Sequence, residues 1–378
     1  MLGRHADVTL IQAVADCDVD AIDECTYAGL LVDDGGVQAF RHDLSRQAVE
    51  EAMTPLRRRQ LHTRALAALG EDGDIIQRAH HAIGAGDAAA VADLAARAAD
   101  ACVALGAWRE AALLYGEAVE HSDASHPERR RLLEARATIG LRVELAQEAV
   151  AAGDELLAIL EADGDEEKIA EWEAFLSRIY RAVGRGAEAG EMAYRAVARL
   201  EPLGDSAALA RALSRLSGHQ LVTGRYDACV DTSRRAIALS EQFGVEDSLI
   251  YALNSLGAAL GSKGRGEEGI ASLRESFDRA KRASFPEGVT RASTNLAYTY
   301  LADPQPTLAL EVLNEGIAVA EEHELHTDLN CLHPSRAEVR WLLGDWDGAS
   351  AELAAVLNDP WASPLNRAIV QVLSLIHI

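Results

Sequence analysis

The feature that most limits what this chain can fold into is a period. A glycine, often with a ring two positions on and a small residue five positions on, recurs through most of the sequence. It stands in Gly106-Ala-Trp108-Arg-Glu-Ala111, Gly184-Arg-Gly-Ala-Glu-Ala189, Gly224-Arg-Tyr226-Asp-Ala-Cys229, Gly264-Arg-Gly-Glu-Glu-Gly269 and Gly344-Asp-Trp346-Asp-Gly-Ala349. Weaker members begin near Glu144 and Asp303, so successive anchors stand 38, 40, 40, 40, 39 and 41 residues apart. A period of this length is the signature of stacked helix pairs, each burying its apolar faces only against its neighbours. The glycine ends the first helix of a pair by taking a left-handed conformation. The rings of Trp108, Tyr226 and Trp346 are expected to fill the crevice between the helices. Ala111, Ala189, Cys229, Gly269 and Ala349 are expected to let the second helix approach closely. The period predicts a mainly α chain whose residues 73–372 form an α-solenoid with a concave surface.

The first 72 residues read differently. Thr9 to Ala15 is a short helical stretch, and Asp18 can cap a second helix that stops at Gly29. Leu30 to Val32 and Val37 to Phe40 read as strands joined at Asp34-Gly35-Gly36, giving a β-hairpin within 30–40. Helices from Asp43 to Met53 and from Pro55 to Leu69 follow, the latter capped by Thr54. Helix, helix, hairpin, helix is the layout of a winged-helix unit.

The solenoid motif resembles the tetratricopeptide repeat, whose Gly-x-Tyr-x-x-Ala core it matches, with a spacing nearer 40 than 34. Longer helices or connections such as Glu201-Pro-Leu-Gly-Asp205 and Ser284-Phe-Pro-Glu287 would account for the difference.

Charge narrows the function classes. The 378 residues carry 60 acidic and 36 basic side chains, a net charge of −24. A groove-reading helix needs Arg or Lys against the phosphates, whereas the second helix here carries Asp18, Asp20, Asp23 and Glu24 and no base. No direct nucleic-acid contact is expected. No uncharged apolar run reaches the length of a membrane span, so no membrane contact is expected either. Cys17, Cys25, Cys102, Cys229 and Cys331 are scattered, which reads as buried thiols in a reducing, cytoplasmic setting. The last six residues, 373–378, break the Ala/Arg-rich style and are read as a non-native tail left by truncation.

Phe40-Arg41-His42-Asp-Leu44-Ser-Arg46-Gln-Ala48-Val49, with Pro55-Leu-Arg57-Arg58-Arg59-Gln-Leu61-His62 after it, resembles the stretch that follows the ATPase module in large LuxR-type regulators of the MalT-like kind. In that family an AAA or STAND nucleotide-binding domain precedes a winged helix, tetratricopeptide-like repeats and a C-terminal helix-turn-helix. The specific part of the resemblance is residues 29–69. It implies that this chain is the regulatory and sensing middle of such a regulator, without the ATPase and DNA-binding domains. ATP or ADP would then be a cofactor of the intact parent and not of this piece. Arg41 and His42 would be the nucleotide-sensing residues, and the repeats would bind a protein or small-molecule effector. A stand-alone interaction scaffold, or the regulatory tail of a kinase or cyclase, is the alternative.

Other chemistry is thin. No Gly-x-x-x-x-Gly-Lys-(Ser/Thr) loop, Ser-His-Asp set or Gly-x-Ser-x-Gly elbow occurs, so no catalytic residue is assigned. Arg57, Arg58 and Arg59 fan round a helix and read as a solvated face with one Arg pairing Glu50 or Glu51. His80 and His81 are consecutive helix residues about 100° apart, so one metal is not expected to use both, and no metal site is assigned.

Overall fold

The computed structural model describes residues 5–359 apart from 36, 144 and 303, together with 367, 370 and 371. The expected tail at 373–378 lies outside the described residues. The chain divides into two compact units, Met1–Leu156 and Leu157–Ile378. The division expected at 72/73 falls inside the first of these.

The first unit opens with β1 (His5–Asp7), α1 (Val8–Ala15), α2 (Val19–Tyr27), β2 (Leu31–Asp34), β3 (Val37–Phe40), α3 (Asp43–Ala52) and α4 (Pro55–Leu69). Side-chain caps set three of the helix starts: Asp7, Asp18 and Thr54 accept from the backbone amides of Thr9, Ala21 and Arg57. The sheet has the order β1-β3-β2 with both pairings antiparallel, His5 opposite Ala39 and Leu31 opposite Phe40. The hairpin is therefore as read from the sequence, and β1 is an addition to it. α1 packs on α4, where Arg64 Nη2 donates to the Ala13 carbonyl at 3.0 Å. Of the three consecutive arginines, Arg58 binds the Glu50 backbone carbonyl at 2.6 Å. This corrects the expected ion pair: the Glu50 carboxylate is taken by Arg46 at 2.8 Å. α5 (Ile75–Ala85), α6 (Ala88–Ala104), α7 (Trp108–His121), α8 (Arg129–Arg142) and α9 (Ala146–Asp163) continue the chain.

The second unit is a stack of helix pairs: α10 (Glu166–Ala182) with α11 (Gly186–Leu200), α12 (Ala207–Val222) with α13 (Tyr226–Phe243), α14 (Glu246–Ser262) with α15 (Gly266–Arg282), α16 (Pro286–Ala302) with α17 (Pro306–Glu322), and α18 (His326–Leu342) with α19 (Trp346–Asn358). From α14 to α18 every helix has 17 residues, and three-residue turns join them. The 40-residue period is thus two equal halves of 20, and its excess over 34 comes from helix length and not from long connections. Residues 164, 184, 204, 224, 244, 264, 284, 324 and 344 all have positive φ. After most of these turns the next amide bonds a carbonyl five residues back, as in Arg265 N to Leu260 O at 3.0 Å and Phe285 N to Ala280 O at 2.9 Å. Gln305 N makes the same bond to Tyr300 O, so the register position between 284 and 324 is Pro304. Asp303 and Glu144, taken as anchors from the sequence, lie outside the described residues.

The anchors divide in two. Gly106, Gly184, Gly224, Gly264 and Gly344 hold φ between 71° and 84°. Ala111, Ala189, Cys229 and Ala349 are buried. Gly269 faces Gly257 so closely that a Cβ on either would stand 2.7 Å from the other's carbonyl oxygen. The rings depart from expectation. Tyr226 packs, partly buried, against the cluster of Cys229, Val230, Ala259 and Leu260. Trp108 is half-buried, with Arg142 Cζ 4.3 Å from its ring centroid. Trp346 is 68% exposed and fills no crevice. It is the first residue of α19, and side chains on a helix lean toward its N-terminus, so the ring overhangs the turn. Ala349, Leu353 and Val356 on the same face fill the crevice instead. The thiols depart too: Cys102 and Cys229 are buried, whereas Cys331 is exposed.

Two of the register positions with positive φ are not glycine: Ser284 and Glu324 take φ of 50° and 53°. Left-handed backbone costs an L side chain roughly 1 kcal/mol that glycine avoids. Glu324→Gly is therefore expected to stabilise the second unit by about 0.5–1 kcal/mol, and Gly244→Ala to destabilise it by about 1 kcal/mol. Urea denaturation followed by helical circular dichroism measures both; a Glu324→Gly midpoint below wild type would contradict the register.

Candidate functional site

In the second unit the first helices of successive pairs pack on one another: α10 on α12, α12 on α14, α14 on α16, and α16 on α18. The second helices make no comparably extensive contact among themselves within the described residues. The stack therefore curves with its first helices inside, and side chains at their middles face a common groove.

Six residues dominate that face. Arg178 and Arg181 come from α10, Arg215 from α12, Tyr251 from α14, Arg291 from α16 and Asp328 from α18. The buried Tyr251 ring sits under two cations, with Arg215 Cζ 4.5 Å and Arg291 Cζ 5.0 Å from its centroid. Arg178 lies over Phe175, whose ring stacks on Trp172 at 5.1 Å. Arg181 extends to α12, where a Cβ on Gly218 would stand 3.8 Å from its Nη1. Among the described residues, none of these four guanidiniums has a carboxylate within ion-pair distance. Several arginines on the second helices do find carboxylates: Arg195 reaches Glu173 at 2.7 Å, and Arg279 reaches Glu246 at 3.2 Å and Glu275 at 3.0 Å.

The electrostatics reflect the crowding. Burial first, then the neighbouring Arg291, Arg215 and Arg178, push Arg181 down to about 10. Arg215 is likewise pushed to about 10 by burial and then by Arg178, with Arg291 acting in the same direction. Both remain cationic at neutral pH. Burial raises the Asp328 carboxyl, against the opposing pull of the Thr290 hydroxyl, which donates to it at 3.0 Å, and of Arg291 and Arg178. One half-buried carboxylate thus feels two of the four cations, Arg291 and Arg178, and the excess positive charge suits an anionic group.

None of these six residues was singled out from the sequence. The repeat motif marks the turns and the starts of second helices, whereas these six residues lie along the first helices. The readable signal was arginine content in those helices, sorted by face. The residues named for nucleotide sensing lie in the other unit. Arg41 and His42 are both exposed beyond the end of β3, and His42 is the N-cap of α3 without a capping bond from its side chain. His80 and His81, which were not expected to serve one metal together, are both approached by His62 on α4.

No family model matches the sequence, and no curated protein matches it. Solved structures do. A Rap protein complexed with Competence and Sporulation Factor is similar at 13% identity and a TM-score of 0.55, over 93% of this chain and 94% of that one. A tetratricopeptide repeat protein from Parabacteroides merdae is similar at 12% identity and a TM-score of 0.50, over 74% of this chain and 98% of that one. A STAND ATPase with a tetratricopeptide repeat sensor from Pyrococcus horikoshii is 16% identical with a TM-score of 0.46, over 99% of this chain; the present chain spans 63% of its length. At these identities the likeness concerns fold. The chain has the fold of tetratricopeptide-like helical repeats, and no helix among the described residues is long and apolar enough to cross a membrane.

A raised carboxyl pKa in the folded state means that Asp328 favours folding below its unfolded pKa of about 3.9 and loses that contribution as pH rises through its folded value. Asn keeps an acceptor for Thr290 and does not ionise. The stability of Asp328→Asn relative to wild type is therefore expected to rise between pH 3.5 and pH 7, read from urea midpoints at each pH; a flat difference would contradict the burial of this carboxylate.

Proposed function

We propose that the chain is a protein-interaction scaffold whose second unit takes an acidic peptide segment in the groove of its first helices. The observation that carries this reading is the set of four arginines without acidic partners around Tyr251. A guanidinium presents a fork of donors that matches a carboxylate, and a cation already held over a ring loses little freedom on binding. The groove also holds an amide pair, Asn295 Nδ2 donating to Asn254 Oδ1 at 2.6 Å. Asn254 and Asn295 sit three and four residues after Tyr251 and Arg291, on the same helix faces. Half-buried Asn295 is suited to a peptide backbone, which favours a peptide over a bare inorganic anion. The Rap structure in complex with Competence and Sporulation Factor is in line with ligand capture by an array of this fold.

A finer reading joins this scaffold to a regulator. It rests on the resemblance of residues 29–69 to the region after the ATPase of LuxR-type regulators. The order strand, helix, helix, hairpin, helix, with β1 closing the sheet, supports a winged-helix unit over 1–72 ahead of repeats over 73–372. Under that reading ATP or ADP is bound by an ATPase domain of the parent, with Arg41 and His42 toward its phosphates. The repeats are then the sensor whose ligand shifts the parent between closed and open states.

Titration calorimetry with Asp/Glu-rich peptides and with their Asn/Gln counterparts tests the scaffold. The acidic peptides are expected to bind and the neutral ones to bind at least about tenfold more weakly. Arg215→Gln and Arg291→Gln are each expected to cost about tenfold, the worth of one lost charge-assisted hydrogen bond. Asp328→Asn is expected to tighten binding, because it removes a negative charge that acts on Arg291 and Arg178. Equal affinity for acidic and neutral peptides, or arginine variants that bind as wild type does, would sink the proposal.

A further inference from the structure

Three histidines converge in the first unit. His62 projects from α4, and His80 and His81 from α5, which packs on it. The ring centroids lie 5.3, 5.1 and 5.2 Å apart in the three pairings. One nitrogen from each lies within 4.8 Å of the other two. His62 Nδ1 and His81 Nδ1 are 3.0 Å apart. His62 and His81 are buried and His80 is exposed. We propose that these three imidazoles are a binding site for zinc, with a fourth coordination position open on the His80 side.

The geometry needs little adjustment. Tetrahedral zinc with nitrogen ligands at about 2.0–2.1 Å holds those nitrogens roughly 3.3 Å apart. The Nδ1 pair has to open by a few tenths of an ångström. His80, on the exposed side, has to turn its ring to close the remaining gap. In the metal-free pair one Nδ1 must carry a proton to bond the other; moving that proton to Nε2 leaves both Nδ1 lone pairs facing one point. No carboxylate occupies any of the three rings among the described residues.

The backbone opposite is shaped for this arrangement. A Cβ on Gly84 would meet atoms of the His62 ring at 2.5 Å. Gly84 lies inside α5, where glycine costs a helix about 0.5–1 kcal/mol relative to alanine. The recess that admits His62 beside His80 and His81 is therefore built at the expense of helix stability. Its consequence is a cross-link: a bound ion ties α4, which packs on α1, to α5 at the head of the helical array.

The test uses the full chain, free of any affinity tag and stripped with a chelator. Zinc titrated against a chromophoric chelator is expected to bind at one ion per chain and to raise the melting temperature. Cobalt(II) at the same site is expected to give the strong visible absorption of tetrahedral coordination. His80→Ala, at an exposed position that leaves the core intact, is expected to weaken zinc at least about tenfold and abolish the thermal shift. His81→Gln and Gly84→Ala are expected to do the same, with circular dichroism verifying their helix content. Absence of stoichiometric zinc at tens of micromolar, or binding that His80→Ala leaves unchanged, would overturn the site and reduce the cluster to a buried hydrogen-bonded pair. The peptide titration is independent of this result, because the arginine groove belongs to the other unit.

Discussion

The three-residue left-handed turn is the constraint on which the second unit depends. A turn of fixed length between helices of fixed length makes every helix begin at the same phase. Residues 40 apart then fall on the same face of equivalent helices, and residues 20 apart on opposite members of a pair. Tyr251 and Arg291 are 40 apart, which is why they meet as neighbours on the groove face. A one-residue slip in any turn would rotate the next helix by about 100° and carry its groove residues into the core. The tolerance of Ser284 and Glu324 at φ near 50° shows how strongly packing enforces the register: the backbone accepts strain sooner than it abandons the turn.

Small residues convert that register into close packing. Gly257 and Gly269 bring α14 and α15 to backbone contact, and Cys229, Ala189 and Ala349 do a weaker version in other pairs. The ring position is used differently from pair to pair: Trp346 is left in solvent, Trp108 is covered by an arginine, and Tyr226 packs against a buried cluster.

This explains what could be read in advance. Glycines at 164, 184, 204, 224, 244, 264 and 344 spell out the half-period of 20 in the sequence itself. Only the alternate members were needed to see helix pairs, so the equal halves were overlooked. The β-hairpin was legible because turn and strand residues alternate over a few positions, whereas β1 was not, being three residues long and paired only through β3. The groove and the histidine cluster were illegible for a shared reason. Each joins residues whose relation is fixed by helix packing and not by spacing. His80 and His81 diverge on their own helix, and only His62, 18 positions earlier on another, gives the two rings a common point.

Charge gives the groove a selectivity that its four arginines alone would lack. A ligand of net negative charge is repelled by a −24 chain at distances up to about 8–10 Å, the screening length near physiological salt. Attraction begins only inside the groove, where walls of low polarizability keep the arginine fields from being screened. Long polyanions, which must lie partly outside, gain the attraction of a few arginines and suffer the repulsion of the whole surface. A short acidic segment that fits within the groove gains the first without the second. The same four cations repel one another in the free protein, held together by the stack and by Tyr251 between two of them. A ligand that neutralises them removes a repulsion that the folded stack alone sustains. Binding of such a segment would tighten α10 on α12, and α12 and α16 on α14, and so link occupancy of the groove to the rigidity of the unit.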